Sequence, residues 1–361
     1  MSFLEDLQAL VELQSPSEDL EACRQVISLA NEMATKQTGT PAKIFDENGR
    51  PVFWWGAEQP SIVVLTHLDT VWPIDSFLPL WQVSESGEGD EKISGPGIFD
   101  MKAGFLQALY AISQIPGASS KIALIATTDE ELGSQTSREL IKRVSASADA
   151  VLVTEASLNG KVKVGRKGTS MYQIKVTGRA AHAGLEPEKG INASSEIAAI
   201  VTSLKALENS ELGTTVVPTT MHSGTTTNTV PAIATLDIDS RSFTMAEMER
   251  VEGALRALTP IHPEATVEVS GGINRPPLEL TSTASLYATL EKVAKDLGLP
   301  EVGSASVGGA SDGNFAAAAG AQVLDGLGAV GDGAHAPHEY ILTSTIQPRI
   351  ELLTAFIKEL M

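Results

Sequence analysis

Three short apolar runs in the first 165 residues each break off at residues able to bind metal or move protons. Ser61–Leu65 (SIVVL) leads into His67 and Asp69. Lys121–Thr127 (KIALIAT) leads into Glu130 and Glu131, and Ala150–Thr154 (AVLVT) into Glu155. Helical patterns near Met101–Gln114 and Gly133–Ala146 lie between the runs. Continuously apolar strands with intervening helices predict an α/β domain: a largely parallel sheet with helices on both faces. In such sheets the chemistry sits in loops beyond the strand C-termini. The polar residues that follow these three runs therefore belong to one site.

The middle of the chain has a different pattern. Thr169–Thr177 alternates like a half-buried strand. A helix near Ala193–Glu208 follows, then strands near Thr214–His222 and Ala232–Ser242. A helix near Met245–Leu258 and a strand near Ala265–Ser270 complete the order βαββαβ, a ferredoxin-like α+β unit. Ile273–Pro277 (INRPP) then punctuates the chain. Helical patterns return near Thr283–Leu297 and Ser344–Leu360. A length of 361 residues fits two domains. The expected division is a catalytic domain of residues 1–167 and 275–361, interrupted by a small domain of residues 168–274. No internal repeat or low-complexity segment stands out.

The formal charge is −19. So acidic a chain argues against nucleic acid as a partner, because phosphate binding wants a basic surface. The acidity either serves solubility or is offset in part by bound metal. No run reaches the roughly 18 apolar residues that span a bilayer. The first segment, MSFLEDLQALVELQSP, has acids and no basic stretch, and reads as an amphipathic helix rather than a signal peptide. Cys23 is the only cysteine, which rules out an intrachain disulfide. These features fit a cytoplasmic enzyme that acts away from any membrane.

The polar residues fall into short motifs. Thr66-His67-Leu68-Asp69-Thr70 follows the first run, and Gly97-Ile98-Phe99-Asp100-Met101-Lys102 opens the first helical pattern. Thr128-Asp129-Glu130-Glu131-Leu132-Gly133 follows the second run. Gly333-Ala334-His335-Ala336-Pro337-His338-Glu339-Tyr340 lies near the C-terminus. Taken singly, each has an ordinary structural use: a hydrogen-bonded histidine, a helix-capping acid pair, a glycine turn. With Glu155 after the third run, they include the two imidazoles and three carboxylates that suffice for a pair of metals. Zinc takes both donor types, and such a set holds two metals if one carboxylate bridges them. Two ions roughly 3.5–4 Å apart can jointly activate a water and polarise a carbonyl.

The ordered set His-x-Asp-Thr, Gly-x-x-Asp-Met-Lys, Asp-Glu-Glu-x-Gly-Ser, Thr-Glu and Ala-His-x-Pro-x-Glu-Tyr resembles the two-zinc glutamate carboxypeptidase/aminoacylase family of metallopeptidases. That family includes succinyl-diaminopimelate desuccinylases and acetylornithine deacetylases. The resemblance runs the length of the chain and includes the interrupting domain. It implies that Asp100 bridges two metals, that His67 and Glu155 complete one, and that Glu131 and His335 complete the other. The metals would be two divalent ions: zinc first, with cobalt or manganese also suited. Glu130 would be the general base, Asp69 would orient His67, and His338 would be a rim residue. The resemblance also implies a cis Asp100–Met101 peptide.

In Gly178-Arg179-Ala180-Ala181-His182-Ala183-Gly184 the resemblance gives the small domain a dimerisation and lid role. His182 would reach the partner subunit's site and stabilise an oxyanion. Asn228, Arg241 and Arg275 match positions that hold the substrate carboxylate. Gly309, in Gly308-Gly309-Ala310-Ser311-Asp312-Gly313, matches a loop beside the substrate backbone. Glu rather than Asp at position 155 marks carboxypeptidases and deacylases in the family. The segment around Asp100 is closest to the glutamate carboxypeptidase branch. The expected function is hydrolysis of an amide bond next to a free carboxylate, in a small peptide or N-acyl amino acid. An N-acyl-amino-acid deacylase is the alternative. A homodimer that binds metal without catalysis is the contrasting reading, opposed by the presence of Glu130 and every ligand type.

Overall fold

Strands Ile62–His67 and Ile122–Thr127 are buried at every residue in the computed structural model, which describes residues 2–86 and 89–361. Their aliphatic side chains need cover on both faces, so they take the middle of a sheet. They pair in parallel from Ile62 opposite Ile122 to His67 opposite Thr127. Ile62–His67 also pairs in parallel with Ala150–Val153, which pairs in parallel with Val323–Leu324. The carboxyl ends of these strands therefore point one way, and His67 and Glu155 emerge at one edge of the sheet.

The sheet is mixed rather than wholly parallel. A hairpin of Lys43–Glu47 and Arg50–Gly56, which no strong sequence pattern announces, adds antiparallel to Ile122–Thr127. The six-strand order is Lys43–Glu47, Arg50–Gly56, Ile122–Thr127, Ile62–His67, Ala150–Val153, Val323–Leu324. Helix Ala103–Ser113 buries nine of its eleven residues in the surrounding core. Phe105 meets Phe53 edge-to-face at 5.5 Å. Helix Leu20–Thr38 starts on Asp19, whose carboxylate accepts from Glu21 N and Ala22 N, and stops at Gly39 with φ 73°. A second, small sheet joins Gln82–Glu85, Glu91–Ser94, Tyr340–Leu342 and Gly331–Asp332. It carries the C-terminal histidine motif to the side of the Gly97–Lys102 turn.

Contacts divide the chain into two compact units. The smaller comprises Arg166–Leu278 with Gly308–Ala310. Its elements run βαββαβ, and its antiparallel sheet has the order Thr215–Ser223, Ile233–Ser242, Gly168–Thr177, Thr266–Arg275. That is the ferredoxin-like arrangement. Gly168–Thr177 alternates buried and open residues along most of its length, and Ile174 and Val176 pack under helix Ala193–Leu204. The last strand overruns the expected break at Ile273: it continues through a bulge between Ile273 and Arg275. Pro276 and Pro277 end it, because proline offers no N–H to the ladder. Among the described residues no helix is long and apolar enough to cross a membrane.

Gly104 is the point where helix and sheet meet most closely. A Cβ there would collide with the carbonyl oxygen of Thr154, the residue before Glu155. Gly104→Ala should therefore cost about 1–3 kcal/mol or more, as overpacking does, and lower the thermal midpoint of the larger unit. An unchanged midpoint would show that the helix can retreat freely.

Candidate metal centre

His67 closes its strand in full burial. Its Nε2 lies 3.2 Å from Asp100 Oδ1 and 3.7 Å from Glu155 Oε1. The other Asp100 oxygen, Oδ2, lies 3.5 Å from His335 Nε2. That imidazole nitrogen is 3.0 Å from Glu131 Oε2. Asp100 thus stands between two imidazoles, one oxygen toward each. Two clusters share His67: His67 with Asp100 and Glu131, and His67 with Glu130 and Glu155. In each, the donor atoms lie within 4.8 Å of one another.

Local backbone explains these positions. Gly97, at φ 69°, starts the irregular turn Ile98–Lys102, and the Asp100–Met101 peptide is cis, as the resemblance implied. One carboxylate fastens this turn. Glu339, fully buried, accepts from Gly97 N at 3.1 Å, Phe99 N at 2.9 Å and Asp100 N at 3.0 Å. It also accepts from Trp72 Nε1 at 2.9 Å. At the turn's other end, the buried Lys102 donates to Leu10 O and Leu13 O, where helix Phe3–Glu12 ends. His335 has φ 61°, a left-handed conformation uncommon for a residue with a side chain.

Asp69 ties two ligand segments together. Its Oδ2 accepts from Ser17 Oγ at 2.7 Å and from Glu131 N at 3.3 Å. His67 Nδ1 lies 3.0 Å from the Asp69 backbone oxygen and 3.5 Å from its carboxylate. The carbonyl is thus the nearer acceptor, and a proton on Nδ1 leaves the Nε2 lone pair facing Asp100. The acid pair follows Asp129, whose Oδ2 accepts from Thr136 N and Oγ1, both at 2.7 Å, and from Ser137 N at 3.2 Å. Lys163 Nζ lies 3.9 Å from Glu155 Oε2.

The protein groups alone are poorly balanced. Burial, with help from Asp100 and Glu130, pushes the Glu131 carboxyl up to about 8. The hydrogen bond to Glu131 raises His335 to about 9. Burial disfavours a charged His67, but Asp100 and Asp69 hold its pKa well above the ordinary value. Metal ligation asks for the reverse, ionised carboxylates and neutral imidazoles. Divalent cations would supply that reversal and neutralise the crowded acids. The oxygen and imidazole donors suit such ions, so the residues present fit a dinuclear metal site.

Other expected residues belong to the smaller unit. His182 is exposed, and its Nδ1 accepts from Gly184 N at 3.1 Å. Its loop pairs with the one bearing Asn228: Ala183 N donates to Asn228 O at 2.9 Å. Arg241 grips Asp239 with Nε at 2.9 Å and Nη2 at 3.0 Å, while Nη1 lies 3.4 Å from Gly308 O. Arg275 is buried near the end of its strand. The Gly309 and Ala310 carbonyls each accept from Arg166 Nη1 at 3.3 Å. His338 is exposed. Sequence reading gave Glu339, Lys102, Ser17 and Arg166 no role. Glu339 and Lys102 stand inside quoted motifs, which was the available signal; Ser17 and Arg166 had none.

Fold and paired clusters together define a two-metal hydrolase. The chain belongs to peptidase family M20/M25/M40, whose profile matches residues 63–359. It is 30% identical over 316 residues to carboxypeptidase G2 of Pseudomonas sp. strain RS-16, which covers 83% of this chain and 74% of that protein. It is 26% identical over 311 residues to acetylornithine deacetylase of Salmonella typhimurium, covering 82% and 79%. In fold it is similar to aminopeptidase PepT of Bacillus cereus, with TM-score 0.77, 22% identity, and coverage of 99% and 98%. The M20 metallo-carboxypeptidase Sso-CP2 of Sulfolobus solfataricus superposes with TM-score 0.71 at 18% identity, covering 99% of each chain. The protein is a metal-dependent hydrolase of peptide-like amides.

Glu339→Gln replaces one acceptor oxygen by a donor facing backbone N–H groups. Metal affinity should fall about 10–100-fold, as when other supports of metal ligands are lost. Competition with a chelator measures this, and an unchanged affinity would show that the turn holds Asp100 without Glu339.

Proposed function

We propose that the protein is a carboxypeptidase-like amidohydrolase that cleaves an amide bond next to a free carboxylate, nearest in type to the glutamate carboxypeptidases. The observation that carries this reading is Asp100, set with one oxygen toward each imidazole. The similarity to carboxypeptidase G2 and the Glu at position 155 support the branch. The similarity to an acetylornithine deacetylase keeps N-acyl-amino-acid deacylation as the second reading.

In this proposal Asp100 would be shared between two divalent ions, zinc first, with cobalt or manganese also suited. His67 and Glu155 would complete the ligands of one, and Glu131 and His335 those of the other. When bound, the ions would acidify a water and polarise the scissile carbonyl. Glu130 removes the proton of the attacking water and delivers it to the leaving nitrogen. Its carboxylate falls with His67 and Glu155 in one cluster, which supports a place at the reacting centre. Asp69 fixes His67 through backbone and side chain. Asn228, Arg241 and Arg275 hold the substrate carboxylate, and the Gly309 loop borders the substrate backbone. Because Asp239 occupies Nε and Nη2 of Arg241, a substrate meets the Nη1 edge of that guanidinium.

Glu130→Gln keeps shape and removes the base. Turnover should fall at least about 100-fold, the lower end for acid–base catalysis, while metal content stays unchanged. Near-normal hydrolysis of N-acyl and dipeptide substrates by this variant would remove Glu130 from the role.

The enzyme is further proposed to be a cytoplasmic homodimer joined through the smaller unit. Strand Thr215–Ser223 supports this, for it lies at the sheet edge with seven consecutive exposed residues. Such an edge pairs readily with a second copy. His182 then serves the opposite subunit's site. Mixing inactive Glu130→Gln chains with inactive His182→Ala chains, under proven subunit exchange, should restore activity, since one site per mixed dimer is whole. A mixture that stays inactive would place His182 in its own subunit's site.

A further inference from the structure

We propose that the acyl side of the substrate lodges in an apolar pocket beside Glu131, and that this pocket favours bulky uncharged acyl groups over carboxylated ones. The inference rests on the amide-hydrolase reading above. The pocket lies wholly within the larger unit and has a volume of about 790 Å³, within the usual range of small-molecule sites. Glu131 and Leu132 line it, as do Thr70 and Val71, which directly follow Asp69. One wall is therefore part of the metal centre.

The pocket is apolar where a soluble protein has reason to be polar. Leu20, Val71 and Ile74 line it, and they are 42%, 39% and 51% exposed. Single exposed aliphatic residues need no explanation, but three around one cavity beside a reacting centre do. Leu132 and Pro73 extend the same surface.

The two sides of the pocket are fixed to each other. Ser17 N donates to Thr70 O at 3.1 Å, and Thr70 N to Ser15 O at 2.9 Å. Asp75 N donates to Gln14 Oε1 at 2.7 Å, and Gln14 Nε2 to Asp75 Oδ1 at 3.1 Å. The segment carrying Ile74 is thereby held against the one preceding Leu20. A ligand needs to order little on entering.

Charge decides which half of the substrate enters. Glu18, Asp19 and Glu21 belong to the lining, and no lysine, arginine or histidine does among the described residues. The helix start at Leu20 offers no anion site, because the Asp19 carboxylate already takes the Glu21 and Ala22 N–H groups at 3.0 Å each. A carboxylate placed here meets like charge and no partner. The substrate carboxylate is assigned to Asn228, Arg241 and Arg275, so the pocket receives the opposite side of the scissile amide. A succinyl or other acidic acyl group is disfavoured, and an aromatic or branched aliphatic one fits.

The test compares N-benzoyl, N-acetyl and N-succinyl derivatives of one amino acid on the zinc-loaded full chain. The benzoyl compound should exceed the succinyl compound in kcat/KM by at least about tenfold, the discrimination a filled apolar pocket provides. Ile74→Lys breaks the wall and adds a cation, so the benzoyl-to-succinyl ratio should fall at least tenfold; Val71→Lys should act the same way. A ratio unmoved in both variants, or a wild-type preference for succinyl, would overturn the proposal. Calorimetry on zinc-loaded Glu130→Gln protein gives a reading independent of turnover. There the benzoyl compound should bind at least tenfold more tightly than the succinyl compound, and equal or reversed affinities would refute the pocket. If none of the three is hydrolysed, the carboxypeptidase-like proposal fails on these substrates, while the binding ratio still decides what the pocket prefers.

Discussion

Four carboxylates and two imidazoles crowd together at the carboxyl edge of one sheet, and the surrounding structure is organised around that crowding. Asp100, Glu130, Glu131 and Glu155 approach one another as no surface acids need to. Acids so placed repel one another and lose solvation, which is why the Glu131 carboxyl stands near 8 in the protein alone. Lys163, at 3.9 Å from Glu155, offsets part of this charge. The imbalance makes sense as a place prepared for divalent cations.

Holding repelling groups in place requires support from behind. Glu339 takes three backbone N–H groups of the Asp100 turn and the Trp72 indole. Asp69 takes the Glu131 N–H and the Ser17 hydroxyl. Asp129 closes the loop after Glu131 through Thr136 and Ser137. Arg50 reaches from the edge hairpin to the carbonyls of Ser17 and Thr128, each at 2.7 Å. These contacts hold backbone and neighbouring side chains. They restrict where the donors can go, which is how a supporting shell contributes affinity without touching the ion.

The central sheet and its site were legible because two independent patterns coincide. An apolar run identifies a buried strand, and a polar residue just past its end identifies the functional edge. His67, Glu131 and Glu155 satisfy both conditions. The small domain was legible because its strand alternation and helix periods are regular from Gly168 to Arg256. The hairpin Lys43–Gly56 was not. Its sequence, KIFDENGRPVFWWG, mixes charge, proline and aromatics, and it earns its place by pairing with a strand some 70 residues later. Glu339 shares a motif with His335, yet its role depends on a turn 240 residues earlier. Nothing local records that contact. Likewise the strand through Ile273–Arg275 overrides local break signals because Gly168–Thr177 offers it a continuous partner.

Charged side chains also differ between the two units. The larger gathers acids: the metal-binding carboxylates, and Glu18, Asp19 and Glu21 round the neighbouring apolar pocket. The smaller holds Arg166, Arg241 and Arg275, with Arg166 buried against the Gly309 loop and Arg241 aligned by Asp239. The proposed substrate, with a carboxylate at one end and an apolar group at the other, asks for both kinds of side chain. In the larger unit the cation beside the cluster is Lys163, and Glu155 already lies 3.9 Å from it. A carboxylate drawn there would compete for the ions that the reaction needs. Under the proposed reading, arginines outside the metal cluster would let the carboxylate be recognised without occupying the ions, so recognition and catalysis could be tuned by different residues.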